Sequence, residues 1–164
     1  MNWFRHAVGI ALVAVGLAAA LDAPAQTTDK KAVTLELARK VAAAAEAEAV
    51  RNSWNVVIAV VDDGGHLVYL QRQDGTQNGS IEVAQRKART AINFKRPTKA
   101  FEDAIAGGRT AILGLVDLGI LPLEGGVPLV YQGQMIGAIG VSGVTSQQDG
   151  MVAKAGAEAL AAMP

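Results

Sequence analysis

The sequence contains no cysteine, and this absence removes several kinds of site at once. Disulfides, thiolate zinc sites, iron–sulfur clusters and cysteine nucleophiles all require thiol groups. Histidine is almost as scarce, since the chain has two and one of them falls within its first 25 residues. Metal sites built from several histidines are therefore excluded as well.

Aromatic residues and excess charge are also lacking. Phe, Trp and Tyr make up 4% of the chain, too few for the stacking platforms that hold single-stranded nucleic acid. The 15 lysines and arginines are balanced by 15 aspartates and glutamates. The chain therefore has no net positive charge with which to bind nucleic-acid phosphates independently of sequence. We expect no nucleic-acid partner.

The longest apolar run is too short to span a membrane. "AVGIALVAVGLAAAL" covers residues 7–21, about 15 residues against the roughly 20 that a transmembrane helix needs. It follows the basic start "MNWFRH" and precedes Ala23 and Ala25, an A-x-A cleavage pattern. These features predict a signal peptide over residues 1–25 and a periplasmic or secreted protein that is not integrated in the membrane. A polar lead-in over 26–33 and one domain over 34–164 would follow.

Helical and strand patterns alternate along this domain. Thr34 is a good N-cap for "LELARKVAAAAEAEAVR", and Ser80 for "SIEVAQRKARTAINF". "NVVIAVVD" lacks alternation, as in a strand buried on both faces, and "DDGG" turns it into "HLVYLQR". "GGVPLVYQGQMIGAIGVSG" predicts a second hairpin, whose Gly140 indicates close approach of a backbone or a ligand. "SQQD" at 146–149 has capping-box spacing before a last helix. The class is α+β with a mainly antiparallel sheet.

Positive charge is concentrated around "INFKRPTKAF", residues 92–101. Six of the chain's 15 lysines and arginines lie between residues 86 and 99. They could form a solvated helix face or a site for an anion. Phe94 and Phe101 would exclude water from such a site, and a helix that starts at Thr98 would add backbone N–H donors. Carboxylates suit the guanidinium fork, so we expect these cations to converge on a sheltered hollow near Thr98 and Gly125.

Three further features could carry chemistry. His66 lies beside a Gly-Gly turn and is either a simple surface residue or a general base. Glu102 either neutralises nearby lysines or, in an enzyme, transfers a proton. Gly125 and Gly126 in "LEGGVP" predict a turn at which a ligand or a neighbouring subunit touches the backbone.

Five segments in order resemble one known family. They are "NVVIAVVDDGGHLVYLQRQDG", "SIEVAQRKARTA", "RPTKAFEDAIAGGRTA", "PLEGGVPLVYQGQMIGAIGVSGVTSQQDG" and the alanine-rich last helix. The chain resembles the GlcG/HbpS-like family, which includes the C-terminal domain of PduO-type proteins. The resemblance implies a five-stranded antiparallel sheet with packed helices and a symmetric homo-oligomer.

The resemblance also implies noncovalent haem binding, in haem capture or sensing. On this chain it makes Thr98 and His66 the candidates on the haem side. Lys87, Arg89 and Arg96 would then face the propionates.

Two other functions remain open. The chain could be a metal-free enzyme, such as a lactone hydrolase or an isomerase, acting on a small carboxylated metabolite. Arg89 or Arg96 would then clamp the carboxylate while Glu102 or His66 moves the proton. It could also be an oligomeric accessory protein whose basic surface meets a partner protein.

Overall fold

Four α-helices, four β-strands and one 3₁₀ helix are present in residues 27–163, the part of the chain that the computed structural model describes. The predicted signal peptide over 1–25 lies outside the described residues. The elements follow in the order α1 (Leu35–Arg51), β1 (Val57–Asp62), β2 (Leu67–Arg72), α2 (Ser80–Asn93), α3 (Lys99–Ala106), the 3₁₀ helix (Thr110–Leu118), β3 (Gly126–Tyr131), β4 (Gln134–Ser142) and α4 (Ser146–Ala161).

The strands form one antiparallel sheet in the order β2-β1-β4-β3, so both predicted hairpins and the α+β class are confirmed. Within residues 27–163 the sheet has four strands, so the described part of the chain does not contain the fifth strand that the resemblance implies. Ahead of α1, Val33 donates its backbone N–H to the carbonyl oxygen of Ile136 at 3.0 Å. One such bond does not make a ladder, so this segment does not extend the sheet.

The sheet lies between two helical layers. Ile58 and Val60 of β1 pack with α1 and α4, whereas Val57, Ala59 and Val61 belong to clusters that α2 completes. β1 is therefore covered on both faces, as its unbroken apolar run predicts.

Helix α2 lies directly on β4 because β4 has a glycine at the crossing. A Cβ at Gly140 would overlap the carbonyl oxygen of Ala84 and would lie 2.6 Å from the amide nitrogen of Ala88. The predicted close approach is thus confirmed, and the approaching group is the backbone of α2. This contact sets the short distance between α2 and β4 at the crossing.

The observed helix starts agree only partly with those predicted from the sequence. Thr34 caps α1 as predicted, its hydroxyl accepting the N–H of Leu37 at 3.2 Å. Ser80 is instead the first residue of α2. The capping box of α4 is formed by Thr145 and Gln148, one residue before the predicted Ser146 and Asp149. This shift leaves the Asp149 side chain available for another contact.

Candidate functional site

Two charged residues of opposite sign lie on the apolar stripes of two helices, and they meet inside the protein. Lys87 shares its stripe on α2 with Ala84 and Ala91, and Asp149 shares its stripe on α4 with Val152. The Lys87 Nζ lies 2.7 Å from an Asp149 carboxylate oxygen, and the two side chains are 2% and 3% exposed. Together they form a buried ion pair between α2 and α4.

Backbone groups complete this ion pair. The Lys87 Nζ also donates to the carbonyl oxygen of Val141 in β4 at 3.1 Å, and the backbone N–H of Val144 donates to Asp149 at 3.2 Å. Burial raises the pKa of Asp149 above its ordinary value, and the Lys87 ammonium opposes this shift. The pair therefore joins α2, β4 and the first turn of α4 at one buried point.

Thr98 is fully buried beside this point. Its hydroxyl accepts the backbone N–H of Gly126 at 2.8 Å, and its own backbone N–H donates to the carbonyl oxygen of Gly126 at 2.9 Å. Thr98 directly precedes α3, but its side chain makes no capping hydrogen bond to that helix. The hydroxyl proposed for the haem side thus has a partner within its own chain.

Gly125 and Gly126 are needed for close packing against the same groups. Gly125 has a φ of 126°, and a Cβ there would lie 2.9 Å from the Lys87 Nζ and 2.7 Å from the carbonyl oxygen of Val141. At Gly126 a Cβ would overlap the Lys87 carbonyl oxygen and would lie 2.7 Å from the Thr98 methyl group. Within the chain, the groups that approach these glycines belong to α2, β4, the first turn of α4 and the segment before α3.

Between α2 and α3 the chain presents aromatic rings and a cation together. Phe94 and Phe101 make an edge-to-face contact with their centroids 5.4 Å apart, and the Arg96 guanidinium carbon lies 5.6 Å from the Phe101 centroid. Phe101 is buried, Phe94 is half-buried and Arg96 is exposed. We call Phe94, Arg96 and Phe101 the aromatic–arginine surface. Such a surface can hold a flat apolar ligand and pair with its carboxylate.

Acidic groups surround Lys99 on the neighbouring face of α3. Lys99 lies 2.7 Å from Asp103 and 3.8 Å from Glu124, and these contacts raise its pKa. Glu102 accepts the backbone N–H of Glu124. Burial raises the pKa of Glu124, an effect that Lys99 opposes. The carboxylate of Glu102, the candidate for proton transfer, is therefore engaged by the loop that leads to β3.

His66 lies at the β1–β2 turn, with a side chain that is 83% exposed. Its Nδ1 is 3.4 Å from an Asp62 carboxylate oxygen. The adjacent Gly65 packs on α2, where a Cβ would lie 3.7 Å from the Arg89 side chain. Arg89 is 42% exposed and lies 3.6 Å from Glu82. The β1–β2 turn that carries His66 thus packs on α2 next to Arg89.

The predicted convergence of the cations on one hollow is wrong for the single chain. Lys87 turns into the core and pairs with Asp149, Lys99 pairs with Asp103, and Arg96 lies over Phe101 in contact with solvent. The physical reason is that aspartates of the same chain neutralise two of the lysines. Whether the individual residues touch a ligand stays a prediction.

Sequence reasoning missed Asp149 and Glu124 as partners at this point. A signal for Asp149 was present, since a carboxylate on the apolar stripe of α4 and an ammonium on the stripe of α2 need each other when buried. No comparable signal marks Glu124.

Within residues 27–163 no group of three or more His, Asp or Glu side chains could hold a metal ion. In the same range no helix is long and apolar enough to cross a bilayer.

Known proteins are similar to this chain in sequence and in fold. A family model described as "Haem degrading protein HbpS-like" matches residues 33–158. Protein GlcG of Escherichia coli (strain K12) is 47% identical over 113 residues, which are 69% of this chain and 83% of GlcG. The crystal structure of HbpS superposes with a TM-score of 0.73 and 35% identity, covering 82% of this chain and 94% of HbpS.

A further similar structure holds haem. The crystal structure of a PduOC:Heme complex matches with a TM-score of 0.71 and 26% identity, over 78% of this chain and 94% of PduOC. The matched family region includes the ion pair, the aromatic–arginine surface and the Gly125–Gly126 turn. On this evidence the chain belongs to the HbpS-like family.

Proposed function

We propose that this protein binds haem noncovalently. The observation that carries the proposal is its similarity, in fold and in sequence, to the haem complex of PduOC. The description of its family as haem-degrading supports the same ligand. The absence of cysteine is consistent with a noncovalent mode, because covalent c-type attachment uses thiols.

The aromatic–arginine surface has the chemistry that haem requires. A porphyrin is a flat apolar ring with carboxylates at one edge, and Phe94 offers a half-buried ring next to the exposed Arg96. The Phe101 ring holds the guanidinium in place, at 5.6 Å from its centroid. Arginine can then pair with a propionate through two parallel hydrogen bonds.

His66 is the better candidate for an axial ligand than Thr98. The Thr98 hydroxyl is buried and bonded to Gly126, so ligation would break an existing contact. The His66 ring is exposed, and its Nδ1 lies near the Asp62 carboxylate. A carboxylate on the second ring nitrogen is the usual support of a metal-bound histidine. Arg89, which lies beside Gly65 and 3.6 Å from Glu82, is the candidate for the second propionate.

The proposal includes a homo-oligomer. Leu113, Leu118 and Leu123 are 51%, 77% and 42% exposed on the segment that joins α3 to β3. Exposed leucines at this density are typical of surfaces that a second subunit covers. Sedimentation of the wild type and of Leu118→Glu tests this, since the variant should shift to smaller species.

The proposal also includes export. It is supported by the apolar run over residues 7–21 and by the A-x-A pattern that ends at Ala25. N-terminal sequencing of protein recovered from the periplasm or medium should begin at Gln26. A product that retains residues 1–25 would contradict cleavage.

Titration with haemin tests the binding itself. The mature protein should produce a saturable Soret shift, and Arg96→Ala should weaken the affinity by about tenfold, since a charged hydrogen bond is lost. His66→Ala should change the position of the Soret band, because the axial ligand changes. Arg51→Ala is the matched control, because Arg51 is an exposed arginine at the end of α1, on the opposite face of the sheet. Equal affinities for Arg96→Ala and Arg51→Ala would remove the aromatic–arginine surface from the proposal.

Haem degradation is a second candidate function, favoured by the family description. In that case the Soret band of the complex should decay when a reductant and oxygen are supplied. A band that persists as long as that of haem bound to albumin under the same conditions would leave binding without degradation.

A further inference from the structure

A cavity of about 580 Å³ lies between the start of α1, the β3–β4 hairpin and the end of the chain. It shares no residue with the aromatic–arginine surface or with the turn that carries His66. Its lining residues are Lys31, Ala32, Thr34, Glu36, Leu37, Lys40, Tyr131, Ile136 and Met163. Small-molecule sites commonly have volumes of about 300–1,000 Å³, so the space suits a ligand rather than a few waters.

The floor of this cavity is apolar and continuous with the core. Ile136 is 1% exposed and belongs to the main core cluster, and Leu37, Tyr131 and Met163 pack against the same cluster. These side chains are held from below by the sheet and by α1 and α4. A hydrocarbon chain or ring that enters the cavity would therefore meet fixed apolar walls.

The rim carries an ammonium group whose partners are neutral. The Lys31 Nζ donates to the side-chain oxygen of Gln132 and lies 5.3 Å from the centroid of the Tyr131 ring. The backbone N–H of Lys31 donates to the side-chain oxygen of Gln134 at 3.2 Å. These contacts hold Lys31 at the mouth of the cavity without cancelling its charge.

The other charged groups of the rim neutralise each other. Lys40 lies 2.8 Å from Glu36, and the hydrogen bond and charge of Lys40 lower the pKa of Glu36. Thr34, which also lines the cavity, caps α1 and so places the positive end of the helix dipole at the rim. The net charge of the residues that line the mouth is therefore positive, and Lys31 supplies it.

We propose that this cavity binds an amphipathic monocarboxylate, with the carboxylate at Lys31 and the apolar body over Ile136 and Leu37. The inference does not depend on haem binding. It rests on an apolar floor of fixed shape below a cation that has no acidic partner among the described residues.

Calorimetric titration of the mature protein with decanoate tests this site. Decanoate should bind saturably, with an affinity about fourfold higher per added methylene from octanoate onward. Decanol should bind at least about tenfold more weakly than decanoate, because it lacks the charge. Lys31→Met should cause a similar loss. Lys154→Met is the control, because Lys154 is also an exposed lysine and lies on α4, outside the lining of the cavity.

Several results would overturn the proposal. They are the absence of decanoate binding, equal binding of decanoate and decanol, and equal affinities of Lys31→Met and Lys154→Met. Circular dichroism of the two variants should match the wild type, since both lysines are exposed. Haemin binding without decanoate binding would refute this site alone and leave the haem proposal standing. Displacement of decanoate by one equivalent of haemin would also refute it, because the cavity would then be the haem site.

Discussion

Replacing Lys87 by methionine should destabilise the protein more than any exposed lysine replacement does. The substitution preserves most of the apolar stem and removes the ammonium that lies 2.7 Å from Asp149. Asp149 is 3% exposed, so its carboxylate would lose its counter-charge while it remains out of contact with water.

The expected cost can be estimated from the contacts that remain. Removing one partner of a buried ion pair typically costs about 3–5 kcal/mol. The backbone N–H of Val144 would still donate to Asp149, which places the loss near the lower end of that range. A loss of about 3 kcal/mol should lower the melting temperature by roughly 12 °C for a domain of this size.

A double-mutant cycle by urea unfolding isolates the pair. Lys87→Met with Asp149→Asn should be more stable than the sum of the single changes predicts, because the unpaired charge disappears. Lys154→Met, which breaks an exposed pair with Glu158, should cost less than about 1 kcal/mol. If Lys87→Met costs no more than Lys154→Met, or if the double variant is simply additive, the reasoning about the buried pair fails.

Three other changes test neighbouring parts of the account. Gly140→Ala should cost about 1–3 kcal/mol in urea unfolding, because α2 must move away from β4, whereas Gly79→Ala, with open space around its Cβ, should be nearly neutral; equal costs would contradict the close crossing. Thr98→Val should cost about 1–3 kcal/mol by leaving the Gly126 N–H without its acceptor, and Thr98→Ser should restore most of that loss; equal stabilities of the two variants would mean that the hydroxyl is unimportant. Because burial raises the pKa of Glu124, its contribution to stability should decline as the pH rises from the ordinary value of 4.5 through the raised pKa, and Glu124→Gln should lack this decline. Parallel stability–pH curves for wild type and Glu124→Gln would contradict the shift.

The fold follows largely from local patterns. The unbroken apolar run of β1 predicts a covered central strand. The Gly64–Gly65 pair and Gly133, which follows Gln132, predict the hairpin turns that are observed. Thr34 predicts the start of α1 because its cap depends only on residues within one turn. The capping box of α4 was predicted one residue late, since Thr145–Gln148 and Ser146–Asp149 offer the same spacing. In the observed register Asp149 pairs with Lys87 of α2, a tertiary contact that the local spacing does not reveal.

The candidate site was less predictable because it depends on distant pairings. Lys87 and Asp149 are separated by 62 positions, and their contact requires α2 and α4 to be placed on the sheet first. A dense cluster of lysines and arginines predicts a binding site for an anion. For Lys87 the anion is the carboxylate of Asp149 in the same chain. Arg96 and His66 keep their exposed positions, so their roles toward a ligand are open to direct measurement.

The most direct test of the haem proposal is the absorption spectrum of the purified mature protein during addition of haemin. The account predicts a Soret band that shifts from that of free haemin, saturates at a fixed ratio of haem to chain, and weakens in Arg96→Ala. A spectrum that stays that of free haemin at every ratio would contradict it.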